Sequence, residues 1–98
     1  MLYHVTFQAF ETITGSDVPG LRQHVGSWLH RALETGKVVS HGVFVGKRGG
    51  YALLNADSNE DLFGLIGDLV DSCTITVDPL ISSDTLGEFF RNHPFSGS

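Results

Sequence analysis

The sequence predicts an α+β domain: two β-α-β halves meet at a hairpin, giving a four-stranded antiparallel sheet and two helices. Three observations carry this. Residues 38–57, VVSHGVFVGKRGGYALLNAD, read as two strands joined by a short basic, glycine-rich turn. A strand of period 2 and then a helix of period 3.6 precede the hairpin. A second helix and a strand follow it, so the order is β-α-β-β-α-β.

Residues 2–10 alternate. Tyr3, Val5, Phe7 and Ala9 point one way and form an apolar side suited to a helix layer. Leu2, His4, Thr6, Gln8 and Phe10 point the other way, and their polar members are expected to line a wetter face. Residues 11–17 form a loop that turns at Gly15 and Ser16. Ser16 or Asp17 is placed to cap the next helix, and Pro19 suits its first turn. Leu21, Val25, Trp28, Leu29, Ala32 and Leu33 recur at helical spacing, and Gly36 stops the helix.

The β-branched run 38–45 is the next strand, 46–50 the turn and 51–55 the returning strand. Ser58 with Asp61 resembles a capping box in which Asp replaces the usual Glu. Glu60 and Asp61 also suit the positive end of the helix dipole. Leu62, Leu65, Ile66 and Leu69 give that helix its apolar face, while Gly64 and Gly67 each weaken it by about 1 kcal/mol relative to Ala. Residues 74–79 form the last strand, with Ile75 and Val77 on one face. Residues 82–90 place Leu86, Phe89 and Phe90 at helical spacing, a short C-terminal helix suited to docking on a partner subunit. Residues 92–98 are expected to be loose.

Composition narrows the function. The chain is 41% hydrophobic and 17% charged, which speaks against disorder. Its net charge is −5 and its six basic residues are scattered, with only Lys47 and Arg48 adjacent. No basic stripe tracks a phosphate backbone, so no nucleic-acid partner is expected. Eight acidic residues and no basic one lie from Asp57 to Glu88, a solvated negative surface. Cys73 is alone, which leaves no intrachain disulfide and no Cys-x-x-Cys metal pair. A small domain without such staples suits a reducing compartment or an oligomer. The first ten residues read as a strand rather than a signal peptide, and no run approaches the roughly 18–20 apolar residues of a membrane span. The expectation is a cytoplasmic protein with no membrane partner, no metal and no cofactor.

The element order is that of the split-βαβ, ferredoxin-like arrangement. Both helices cover one sheet face. The other face is partly apolar and needs cover, which a second copy supplies by packing sheet against sheet. The expected particle is a homodimer or higher homo-oligomer, a dimeric α+β barrel with a cavity between sheet and helix or between the sheets.

The run ETGKVVSHGVFVGKRGGYALLNADSNEDLFGLI and the later TITVDPLISS resemble the muconolactone isomerase-like proteins. The matching pieces are Gly36-Lys37-Val38, Gly46 through Gly50, the helix start from Asp57 to Leu62, and Val77-Asp78-Pro79-Leu80. The resemblance implies a dimeric α+β barrel. It also implies a reaction that moves a double bond in a small lactone acid by proton transfer, without metal or cofactor. Gly42 and Val43 stand where that family often has Trp-Arg, which removes a carboxylate anchor. Residues 67–73 replace its Leu-Pro-rich segment. No catalytic residue is carried over from the family.

The candidate site residues come from the chain itself. His4, Thr6 and Gln8 share one strand face, roughly 6–7 Å from one to the next. His4 is placed to shuttle a proton beside a bound carbonyl, with Thr6 or Gln8 holding an oxyanion. The same three also make a polar dimer interface. His41 is the second candidate, as acid to the base of His4 or as a solvated edge residue. Tyr51 offers a hydroxyl to a ligand or to an interface. His24 and His30, six apart, miss the spacing of three or four that one helical face needs for a metal pair. Lys47 and Arg48 read as a hairpin turn rather than a phosphate loop, and Cys73 as a small buried residue.

The function expected is a small cofactor-independent isomerase acting on a small carbonyl or lactone compound. A non-catalytic small-molecule-binding or accessory protein of this fold is the alternative, as is a cofactor-free monooxygenase acting on a quinol.

Overall fold

The computed structural model describes residues 1–93. Strand β1, Leu2–Ala9, lies inside the sheet and alternates in burial as its sequence alternates in polarity. Strands β2 (Val38–Val43), β3 (Gly49–Asn55) and β4 (Cys73–Leu80) complete an antiparallel sheet of order β2-β3-β1-β4. Helices α1 (Val18–Glu34) and α2 (Asn59–Ile66) pack on one face, and α3 (Ser83–Asn92) follows β4. The chain is therefore α+β with a four-stranded antiparallel sheet, an order compatible with the ferredoxin-like arrangement.

The core forms where the apolar side of the sheet meets the two helices. Tyr3, Val5, Phe7, Ala52 and Leu54 come from the sheet; Trp28, Ala32, Leu62 and Ile66 come from the helices. Each fully buried large side chain contributes about 1.5–3 kcal/mol. Trp28 also donates its indole N–H to the Leu65 carbonyl at 2.6 Å, joining α1 to α2. Leu33, the outermost member of the apolar series on α1, stays 44% exposed.

Several boundaries differ from expectation, each for a local reason. The Phe44 N–H donates to the Gly49 carbonyl at 2.9 Å, so the hairpin closes early. Gly49 and Gly50 therefore belong to β3, opposite Gln8 and Phe7. The backbones are very close here: a Cβ on Gly50 would strike the Gly42 carbonyl oxygen. On Gly42 it would meet the Tyr51 ring edge at 2.7 Å, a side chain that can swing aside. Gly50→Ala is expected to lower stability by about 1–3 kcal/mol in urea unfolding, and Gly42→Ala by less.

Neither Ser16 nor Asp17 caps α1 with its side chain. Residues Gly15–Asp17 form a 3₁₀ turn that runs straight into the helix, so Asp17 is already helical and lacks the extended cap geometry. Gly36 ends the helix at φ +73°, the left-handed conformation that glycine adopts without penalty. At residues 92–98, Asn92 is the last residue of α3, and 94–98 lie outside the described residues.

At α2, Ser58 Oγ accepts the Asp61 N–H at 3.0 Å, as the capping pattern requires. The return arm differs. The Asp61 carboxylate accepts the Asp57 N–H at 2.9 Å and grips Lys37 Nζ at 2.6 and 2.7 Å. The Lys37 hydrogen bond holds the Asp61 carboxyl below its ordinary 3.8, and Asp61 in turn raises Lys37 above 10.5. The Asp61 contribution is whole above 3.8 and is lost as pH falls through the lower native value. The Lys37 contribution is whole below 10.5 and is lost as pH rises through the higher native value. Lys37→Met is therefore expected to melt below the parent by a constant margin from about pH 5 to about pH 9. That margin should shrink at both extremes in melts followed by circular dichroism.

Neither α1 nor α2 covers the second sheet face. Register places Leu2, His4, Thr6 and Gln8 there, beside Tyr51, Leu53, Thr76 and Asp78. Helix α3 is capped by Ser82, whose Oγ accepts the Thr85 N–H at 3.0 Å. Its Leu86, Phe89 and Phe90 are 40–50% exposed, and among the described residues it makes no extended contact with another element. Among the described residues no helix is long and apolar enough to cross a membrane.

Candidate functional site

One irregularity in β2 decides where the candidate histidines sit. Val38 faces Leu54 on β3, but Ser40 faces Leu53, so one extra residue is inserted between them. A regular ladder from Val38 would place His41 opposite Tyr51. The insertion places it opposite Ala52 instead. A shift of one residue exchanges the faces of a strand. His41 thus sits on the helix-covered side, whereas His4, opposite Leu53 and Asp78, sits on the open side. The sheet separates them, so within one chain they do not share a cleft.

The open face gathers the other candidates. The His4 ring stacks on Tyr51 with centroids 5.7 Å apart and planes 23° from parallel. The Tyr51 hydroxyl meets Ser40 Oγ at 2.8 Å. Thr6 and Gln8 continue the row opposite Thr76 and Thr74. This is a polar strip with an aromatic pair, and a shallow, open hollow bordered by Gln8 and Thr74 lies at its end.

A half-open hollow exists on the other side. A cavity of about 420 Å³ lies between α1 and the hairpin end of the sheet. Phe7, Val25, Trp28 and Leu29 are among its apolar walls, with Phe7 and Trp28 edge to face at 5.6 Å. His41, exposed on the edge strand β2, borders it, and so does β3 at Tyr51, whose ring lies on the open face against His4. Arg22, Lys47 and Arg48 also line it. Three of the six Lys and Arg residues of the chain thus reach this one cavity, and none of its eleven Asp and Glu residues does. In a chain of net charge −5 this is a local reversal of sign, and a low-dielectric wall strengthens its field.

The cations are held differently. Arg48 donates to the Ile13 carbonyl at 2.6 Å, which ties the hairpin to the loop before α1. Lys47 Nζ stands 4.7 Å above the Phe44 ring. Arg22 has no hydrogen bond or ion pair among the described residues, and α1 carries it at the cavity. Cys73 is 4% exposed in the wall, and burial pushes its thiol above 9.0, so it is a neutral, weakly nucleophilic surface.

The remaining histidines of α1 serve contacts elsewhere. His24 Nε2 meets the Asp68 carbonyl at 2.9 Å, and His30 pairs with Glu34 at 3.0 Å. Among the described residues no group of three or more His, Cys, Asp or Glu converges as a metal site.

Sequence reasoning missed Arg22 as a site residue. It flanks the apolar stripe, four residues before Gly26; both residues are exposed, and only the cavity shows that this flank forms its rim. Lys47 and Arg48 do occupy a hairpin turn, as expected, and they border the cavity as well. No protein-family model matches the chain, and no curated protein matches it either.

Proposed function

We propose that this chain is a cofactor-independent, isomerase-like protein that moves a proton on a small apolar carbonyl or lactone acid held in the cavity between α1 and the sheet. One observation carries the reading. The cavity joins apolar walls to an imidazole and three cations, with no carboxylate on its lining. An apolar body fits the walls, a negative group is drawn to the cations, and His41 supplies an imidazole able to take up and return a proton.

The chemistry is a proton relay. Neutral His41 removes a proton from the carbon next to the carbonyl. The C–H electron pair moves into the carbonyl as a dienolate, and the cations stabilise the oxyanion. The imidazolium then returns the proton at the far end of the conjugated system. The double bond moves and nothing is gained or lost. The resemblance to the muconolactone isomerase-like proteins belongs to this proposal, as does a cytoplasmic homodimer. In that dimer the two open faces pack together, and His4, Thr6, Gln8 and Tyr51 become interface groups around any space left between the sheets.

A second reading, binding without turnover, is favoured by one feature: apart from His41, the lining offers no histidine or carboxylate to act as a partner acid. One experiment separates the two. Butenolide acids and β,γ-unsaturated keto acids are screened by thermal shift and by ultraviolet absorbance of the conjugated product. A raised Tm with product supports the isomerase, and a raised Tm without product supports the binder. No shift with any of them removes the cavity as the site. Light scattering tests the dimer, which a strictly monomeric particle would refute.

A further inference from the structure

Helix α1 carries a glycine in its interior where an alanine would be more stable, and Gly26 has no steric need to be glycine. Gly26 is exposed at the cavity rim, and a Cβ built on it meets no atom within 4 Å. Its φ does not fall in the left-handed range. Close backbone packing and chain reversal therefore do not explain it. Gly20, Gly64 and Gly87 are equally uncrowded helical glycines, but Gly26 is the one of these that lines the cavity. Arg22 precedes it by four residues, so the two are neighbours on one flank of the helix. Leu29 completes the flank one turn later, also in the lining.

We propose that Arg22 and the empty space over Gly26 form a specificity notch on α1. The notch admits the anionic end of an apolar ligand, and Arg22 holds that end. This rests on the cavity being the binding site and adds which residues choose the ligand. The missing side chain at 26 leaves room beside the guanidinium, so a sulfonate or carboxylate reaches it without displacing the apolar body from Phe7 and Trp28. Lys47 and Arg48 are already engaged with Phe44 and Ile13, so Arg22 is the cation that can close on a ligand without breaking a contact. Binding should therefore discriminate by charge at Arg22 and by bulk at Gly26.

Two probes with nearly the same apolar frame test this: anilinonaphthalene sulfonate, and phenylnaphthylamine, which lacks the acid. Quenching of Trp28, the single tryptophan of the chain and part of the cavity wall, reports occupancy. The parent is expected to bind the sulfonate more tightly than the neutral probe. Arg22→Gln should weaken the sulfonate about tenfold and leave the neutral probe unchanged. Gly26→Leu should weaken both by at least about tenfold. Gly26→Ala should raise Tm, which shows that glycine at 26 is not kept for folding. Equal binding of both probes by the parent, or an unchanged preference in Arg22→Gln, overturns the notch and leaves the cavity as a site. Failure of both probes to quench Trp28 overturns the notch together with the cavity reading.

Discussion

Trp28→Ala is expected to cost about 3–5 kcal/mol, a large share of the roughly 5–15 kcal/mol that holds a small domain together. Three contributions disappear at once. The indole is 3% exposed and fills the space between α1 and the sheet. It packs edge to face on Phe7, with planes at 66°. Its N–H serves the Leu65 carbonyl near the end of α2. Trp28→Phe separates these effects, because it keeps an aromatic ring against Phe7 and leaves that carbonyl without its donor. The expected loss is then about 1–3 kcal/mol. Urea unfolding reads both. A cost under about 1 kcal/mol for Trp28→Ala would mean that α1 does not depend on this contact. Because Trp28 also walls the cavity, either change should enlarge it and weaken binding of apolar ligands before the domain unfolds.

Much of this fold is legible because the sequence states it at two levels. Tyr3, Val5 and Phe7 alternate with His4, Thr6 and Gln8, and the burial of β1 repeats that alternation. Ser58 and Asp61 mark the start of α2, and Gly36 marks the end of α1. The misses occur where backbone geometry overrides residue preference. Val43 is the last residue of β2, although the β-branched run continues to Val45, because the Phe44–Gly49 hydrogen bond closes the turn first. Asp17 looks like a cap, but the preceding turn is already helical. Asp61 reaches the backbone of Asp57 rather than Ser58, since Lys37 draws its carboxylate from the other side.

The candidate site was less legible, and β2 shows why. Alternation tells which residues share a face within a strand. It does not tell how one strand registers on the next. His41 lies at an even distance from Val39 and at an odd one from Val38, so its face depends on a bulge that no residue pattern announced. The cation set had the same difficulty. Arg22 is on a helix and Lys47 and Arg48 are on a turn twenty-five residues away. Their convergence is a property of the packing of α1 over the hairpin.

His41→Ala is expected to lower turnover of a butenolide acid by about 10²–10⁴-fold, the usual contribution of a positioned acid-base group. The effect should appear in kcat, with KM little changed, because the apolar walls and the cations that bind the ligand remain. His41→Gln should be equally slow, since an amide fits the position but neither accepts nor releases a proton near neutral pH. His4→Ala is the decisive control. His4 faces away from the cavity and stacks on Tyr51, so its loss should leave kcat near the parent value. If it changes anything, it should change the stability of the dimer. Solvent deuterium entering the product would show that the transferred proton passes through an exchangeable group. The opposite pattern, with turnover lost in His4→Ala and kept in His41→Ala, would move the chemistry to the space between two packed sheets. The 420 Å³ cavity beneath α1 would then have no part in it.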